Sequence, residues 1–266
     1  HLIAQQDPRA VMGVFPADHV ITNPRAFVKL LKPAFRAAAK GQIAVLGIQP
    51  RWAETGYGYI EFPEGFTAGS SQALPVASFR EKPDAKAAQK FLKAGRFCWN
   101  AGMFFWRVAV VLEALREHKP QMATLLASVP DIAERGFGKK LAEIFPKCES
   151  ISIDYALMEP AARQKGRVVG LAAGDIGWND VGSWNAVYEL LARDPDGNAG
   201  RGEMVTVNAG GNYFDVEGKK IVALVGVKDL VIVDTPDALL IANRHEAQRV
   251  GDLVKLLEAK KREELL

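Results

Sequence analysis

The sequence predicts an α/β fold: a mixed, mainly parallel sheet flanked by helices, then a small β-rich module and a terminal helix. Three observations predict it. Two short apolar runs, VMGVFPA at 11–17 and IAVLGIQP at 43–50, flank a stretch with helical spacing, which is strand–helix–strand order. A turn-rich segment, DPDGNAGRG, breaks the pattern from Asp194. Beyond it, short β-rich segments recur at about ten-residue intervals, the spacing of a small all-β module. The expected domains are therefore residues 1–195 and residues 196–266.

Each element has its own signal. VMGVFPA reads as a buried strand of a parallel sheet. Asn23-Pro24 starts a helix, and Phe27, Leu30, Leu31, Ala34 and Ala38 keep helical spacing to Lys40. IAVLGIQP is a second buried strand. GYGYIEF and ALPVASFREK, separated by a polar glycine-containing turn, read as a hairpin or paired strands. Pro83-Asp84 starts a helix that Gly95 closes. WNAGMFFWRV is strand-like, and the helix after it stops at Pro120. SISIDYALMEPA mixes a short strand with a helix start. RVVGLAAGDIGWNDVGSW runs from a strand into a loop rich in Gly, Asp and Trp. EMVTVNA, NYFDVEG, KIVALVGV and DLVIVDTPDALLIANR are the later β segments, and the amphipathic EAQRVGDLVKLLEAKKREELL is the last helix.

Composition narrows the function classes. A net charge of +3 is too slight an excess to argue for nucleic acid. No apolar run approaches the ~18 residues of a membrane span. Two cysteines, Cys98 and Cys148, do not make a disulfide framework and point to the reduced thiols of a cytoplasmic protein. The histidines 1, 19, 118 and 245 are scattered, without zinc-ligand spacing.

Several residues are of types that carry chemistry. Asp18 lies just past the first apolar run, where open α/β sheets bind ligands, and a carboxylate there suits magnesium; it would equally cap a turn. Asp180, in GWNDVGSW, is flanked by Gly177 and Gly182 and by Trp178 and Trp184, which would wall a site or serve the core. Asp18 and Asp180 are candidates for sharing one metal. Glu81 and Lys82 close an extended segment: Lys suits a phosphate and Glu a sugar hydroxyl, although a lone Glu-Lys pair is most often solvated. Gly58, in GYGYIE, offers open backbone to a ligand or simply turns a hairpin. Asn100, in WNAG, has two donors and an acceptor on one amide, or serves a turn. No Ser/His/Asp set stands out, so a covalent nucleophile is not indicated.

The order of these motifs is more specific than any one of them. FPADHVI, GYGYIE, FREKPD, WNAGMFFWR, SISIDYALME and GWNDVGSW together resemble the bacterial mannose-1-phosphate guanylyltransferases, from the first residues to about Arg244. SIDYALME and GWNDVGSW resemble the mannose branch rather than the glucose or N-acetylglucosamine branches. The resemblance implies a Rossmann-like fold of the nucleotide-diphospho-sugar transferase type. It implies that mannose 1-phosphate and GTP give GDP-mannose and pyrophosphate with Mg²⁺, by in-line attack on the α-phosphate. Asp18 and Asp180 would hold the metal, with Asp18, Asp180 and Lys82 catalytic. Glu81 would bind mannose hydroxyls and Lys82 the sugar phosphate; Gly58 and Asn100 would line the sugar pocket, with Asp154 of SIDY near the sugar. A homodimer is left open.

The family also opens with a Gly-rich loop and a Lys-Pro segment that cradle the triphosphate. This chain starts HLIAQQDPRA, so the resemblance implies that about a hundred residues are missing upstream, judged from the size of βαβ units. Some relatives carry a cupin-type isomerase domain downstream; without one, a single-function transferase is expected. Two other readings are another sugar-1-phosphate transferase, such as one for glucose 1-phosphate, and a non-catalytic paralogue that senses a sugar nucleotide.

Overall fold

The strand Phe97–Arg107 organises the seven-stranded sheet, the largest among the described residues, in the computed structural model, which describes residues 1–265. The chain forms two compact units. One comprises residues 1–17 with 21–178; the other comprises residues 18–20 with residues from 179 onward. Leu266 lies outside the described residues.

In the first unit the strand order is Leu74–Pro75, Val168–Ala173, Ile43–Ile48, Phe97–Arg107, Tyr59–Glu61, Ser78–Arg80. Val11–Val14 pairs with the far end of Phe97–Arg107. The mixed α/β class is as expected, but the balance within the sheet differs from the expected, mainly parallel one. Ile43–Ile48 and Val168–Ala173 run parallel, while Phe97–Arg107 runs antiparallel to all three of its neighbours. Apolar runs were read as parallel strands because buried strands of parallel sheets look that way. Phe97–Arg107 is just as apolar, and burial on both faces does not encode direction. Likewise VMGV is a partly buried antiparallel strand rather than a fully buried parallel one.

The local signals explain the helices. Asn23 accepts from the Ala26 N–H and Pro24 occupies the first turn of the helix Pro24–Ala39. That helix buries Leu30, Ala34, Ala37 and Ala38 in the core formed with Phe105, Leu171 and Trp99. Burying Leu30 alone contributes about 1.5–3 kcal/mol. Asp84 caps Ala85–Ala94, and Gly95 ends it in the left-handed conformation at φ 68°. The expected hairpin is present, with Tyr59 opposite Arg80 and Glu61 opposite Ser78.

The second unit winds as a coil. Ala199–Arg201, Tyr213–Val216 and Leu230–Asp234 pair in parallel, as do Glu203–Val207 and Ile221–Val225. Each strand therefore lies beside its counterpart one coil on, Met204 by Val222 and Tyr213 by Val231. Phe214, Val216, Val222, Leu224 and Ile232 fill the interior. Leu239–Asn243 then returns antiparallel to Leu230–Asp234. Two asparagines, Asn198 and Asn212, are almost fully buried in this unit. The helix Val250–Ala259 buries none of its residues, and Leu253, Val254 and Leu256 stay exposed. Among the described residues no helix is long and apolar enough to cross a membrane.

Candidate functional site

Five of the expected residues come together on the first unit. Gly58 precedes the strand Tyr59–Glu61, and its carbonyl accepts from the Asn100 N–H at 2.8 Å. A Cβ at Gly58 would lie 2.5 Å from Glu81 Oε2 and 3.3 Å from Asn100 Cβ. Glycine here lets the Glu81 carboxylate approach the backbone closely, rather than serving an unusual backbone angle. Asn100 Nδ2 donates to Asp154 Oδ1 at 3.0 Å, and Asn100 Oδ1 accepts from the Gly102 N–H at 3.2 Å. Gly102 takes φ 68°, which lets the strand Phe97–Arg107 turn its amide back onto the Asn100 side chain.

Charge in this cluster is concentrated and partly desolvated. Burial, then repulsion from Asp154 and from Glu159, raises the Glu81 carboxyl from 4.5 to about 7, against the opposing pull of Lys82. Burial also raises Asp154, while its hydrogen bonds and the nearby Lys82 ammonium act the other way. Lys82 itself sits at φ 43°, so the strand ends at Arg80 and the chain turns at the Glu-Lys pair. The two side chains therefore do not alternate across a strand, because residue 82 has left the extended region. Two carboxyls and an ammonium beside an amide form an array suited to hydroxyl groups and a phosphate.

Two residues of this region escaped the sequence reading. Glu54 is 9% exposed and accepts from the Thr55 and Gly56 N–H groups, each at 2.9 Å, and from Trp52 Nε1 at 2.9 Å. Its carbonyl accepts from the Tyr59 hydroxyl at 2.8 Å. It holds the loop that presents Gly58. The only signal was its place just before Gly56, and a lone Glu in a polar loop reads as solvated. Glu159 accepts from the Glu81 N–H at 3.0 Å, and nothing in the sequence ties the two.

The remaining candidates belong to the second unit. The His19 imidazole lies within electrostatic reach of both Asp18 and Asp180; burial lowers its pKa and the two carboxylates oppose that. A Cβ at Gly182 would collide with Asp180 Oδ2. Asn179 fixes the turn, accepting from the Val181 N–H at 2.7 Å and donating to the Ala186 carbonyl at 2.8 Å. Val181 at φ 55° makes this a strained turn for a β-branched residue. Ser183 caps the helix Trp184–Leu190. Among the described residues no group of three or more His, Cys, Asp or Glu is arranged to hold a metal. Two carboxylates completed by phosphate oxygens and water are a donor set that magnesium accepts. The two tryptophans serve cores: Trp178 packs edge-on to Tyr57 in the first unit, and Trp184 stacks on Tyr213 in the second.

Comparison with known proteins identifies the family of the fold. Residues 1–197 match the nucleotidyl transferase family model, and residues 202–257 match a mannose-phosphate isomerase/GMP-like beta-helix domain, in keeping with the coiled strands. The chain is 39% identical over 261 residues to "Mannose-1-phosphate guanylyltransferase ManC" of Salmonella typhimurium, covering 96% of this chain and 52% of that protein. It is 37% identical over 256 residues to "Mannose-1-phosphate guanylyltransferase" of Klebsiella pneumoniae, covering 96% and 53%. A crystal structure described as "mannose-1-phosphate geranyltransferase", from Thermus thermophilus, superposes with a TM-score of 0.76 at 30% identity, covering 96% of this chain and 72% of that one. The chain spans about half the length of the curated relatives it matches. With its first 197 residues matched and its sheet matched to a solved relative, the chain belongs to the nucleotidyl transferase family.

Proposed function

We propose that this protein transfers a guanylyl group from GTP to mannose 1-phosphate, forming GDP-mannose and releasing pyrophosphate. The observation that carries the reading is the joining of Gly58, Glu81, Asn100 and Asp154 into one polar cluster with Lys82 at its turn. A sugar phosphate needs both halves of that cluster. Hydroxyls meet acceptors at Glu81 and Asp154 and the amide of Asn100; the phosphate meets the Lys82 ammonium. In the reaction a sugar-phosphate oxygen forms a bond to the α-phosphorus as the bond to the β-phosphate oxygen breaks, and the electron pair leaves with pyrophosphate. The protein's contribution is positioning and charge neutralisation. Asp18 and Asp180 are the residues that would hold Mg²⁺, which when bound neutralises phosphate charge.

The names of the relatives support mannose and guanine as the specificities. A GTP-consuming reaction and two free thiols, Cys98 and Cys148, support a cytoplasmic location. A homodimer belongs to the same reading, supported by Val205, Val207, Ile221 and Val225, which share one exposed face of paired strands; light scattering tests it. The test of the function is a panel of GTP, ATP and UTP with mannose 1-phosphate or glucose 1-phosphate. Product formation is expected to be fastest with GTP and mannose 1-phosphate. Faster turnover with glucose 1-phosphate, or none with any pair, overturns the reading.

A further inference from the structure

The segment Asp154–Met158 is a turn of π-helix, in which the Glu159 N–H donates to the Asp154 carbonyl. This spacing decides where side chains point. At 3.6 residues per turn, a residue five positions on lies about 140° around the helix, on another face. A π turn closes its hydrogen bond five residues on and brings those two positions nearer to one face. Asp154 and Glu159 are such a pair, and both carboxylates act on Glu81. Their contacts differ. Asp154 is tied to Asn100, whereas Glu159 Oε1 accepts from the Glu81 main-chain N–H at 3.0 Å. That N–H immediately precedes Lys82, which sits in the left-handed region at φ 43°. A non-glycine residue is disfavoured there and persists only where its neighbours hold it.

We propose that Glu159 is a positioning residue for sugar-phosphate binding: delivered by the π turn, it clamps the Glu81 N–H and so holds the Glu81–Lys82 turn in its binding shape. This rests on the reading of Glu81 and Lys82 as sugar-phosphate ligands. Glu159 acts through the main chain of Glu81, and its charge adds to the burial and the Asp154 repulsion that raise the Glu81 carboxyl, against the pull of Lys82. The one extra residue of the π turn changes the phase between the two carboxylates: in an α-helical turn they would lie about 140° apart and only one would face Glu81.

The test is made in the full-length protein with Glu159→Ala and Glu159→Gln, using Glu81→Gln and Lys82→Ala as controls. KM is measured for mannose 1-phosphate and GTP, and direct mannose 1-phosphate binding is followed by calorimetry. Glu159→Ala is expected to raise the sugar-phosphate KM and Kd about tenfold or more while the GTP KM moves less than about twofold. Glu159→Gln keeps an acceptor oxygen and is expected to restore most of that loss. Because it removes one neighbouring negative charge, it is also expected to move the acid limb of the binding pH profile to lower pH. A purely structural role would not move that limb. If both controls weaken sugar-phosphate binding but the folded Glu159→Ala does not, the positioning role is overturned alone. If neither control does, the sugar-phosphate reading falls and the inference with it. Should Glu159→Ala fail to fold, Glu159→Gln decides: an unmoved pH profile overturns the proposal.

Discussion

The side-chain amide of Asn100 spans two elements, donating to Asp154 Oδ1 at 3.0 Å while its oxygen accepts the Gly102 N–H at 3.2 Å. The strand Phe97–Arg107 and the π turn at Asp154 are thereby fixed to each other within the first unit. Loss of a donor from a partly desolvated carboxylate costs about 1–3 kcal/mol. Asn100→Ala is therefore expected to lose about that much stability, read from the shift in denaturant midpoint. It is also expected to raise the sugar-phosphate KM more than the GTP KM. An unchanged midpoint would show that water replaces the amide at no cost.

The ionisation of Glu81 predicts a pH-dependent stability. Its carboxyl titrates at about 7 in the folded chain rather than near 4.5, so the folded state binds that proton more tightly than the unfolded state does. Stability from this group is present below about 4.5 and is lost as pH rises through 7. Gln cannot ionise, and so does not suffer the loss. Relative to the parent, Glu81→Gln is expected to be more stable at pH 8 than at pH 5, with most of the change between 4.5 and 7, while sugar-phosphate turnover falls. Denaturant unfolding at both pH values measures this. A stability difference that is the same at pH 5 and pH 8 would contradict it.

In the second unit, Asn212 Nδ2 donates to Asn198 Oδ1 at 2.8 Å, and Asn212 Oδ1 accepts from the Leu230 N–H at 2.9 Å. Asn198 in turn donates to the Ala209 carbonyl at 3.3 Å. These amides form a ladder from one coil to the next, in an interior where both residues are buried. Asn212→Ala leaves the Leu230 N–H without its partner and removes a donor from Asn198. Asn198 Oδ1 keeps the Asn212 main-chain N–H at 3.1 Å, so the Leu230 N–H is the group left unsatisfied and a loss of about 1–3 kcal/mol is expected. Calorimetry should show a lower unfolding midpoint with the catalytic constants of any properly folded fraction unchanged. A midpoint within error of the parent would mean that the coil tolerates the gap.

The sequence by itself determined the elements whose causes are local. Asn23 and Asp84 cap helices, Gly95 ends one, and apolar runs mark the strands, because capping and burial act over a few residues. It also nominated residues for chemical roles, since the ordered motifs contain Asp18, Gly58, Glu81, Lys82, Asn100, Asp154 and Asp180. Tertiary structure decided what depends on partners distant in the chain. The direction of Phe97–Arg107 follows from its neighbours, and its apolar residues would suit either direction. The parallel coil after residue 198 arises because Met204 meets Val222 and Tyr213 meets Val231, pairings that alternation alone does not distinguish from hairpins. Glu54 and Glu159 carry no sequence signal of their own, because their partners are main-chain N–H groups that only folding sets against them. The π turn adds one residue to a helical turn, a change too small to register in hydrophobic spacing. It is large enough to swing Glu159 onto the face it shares with Asp154, because each residue rotates the helix by about 100°.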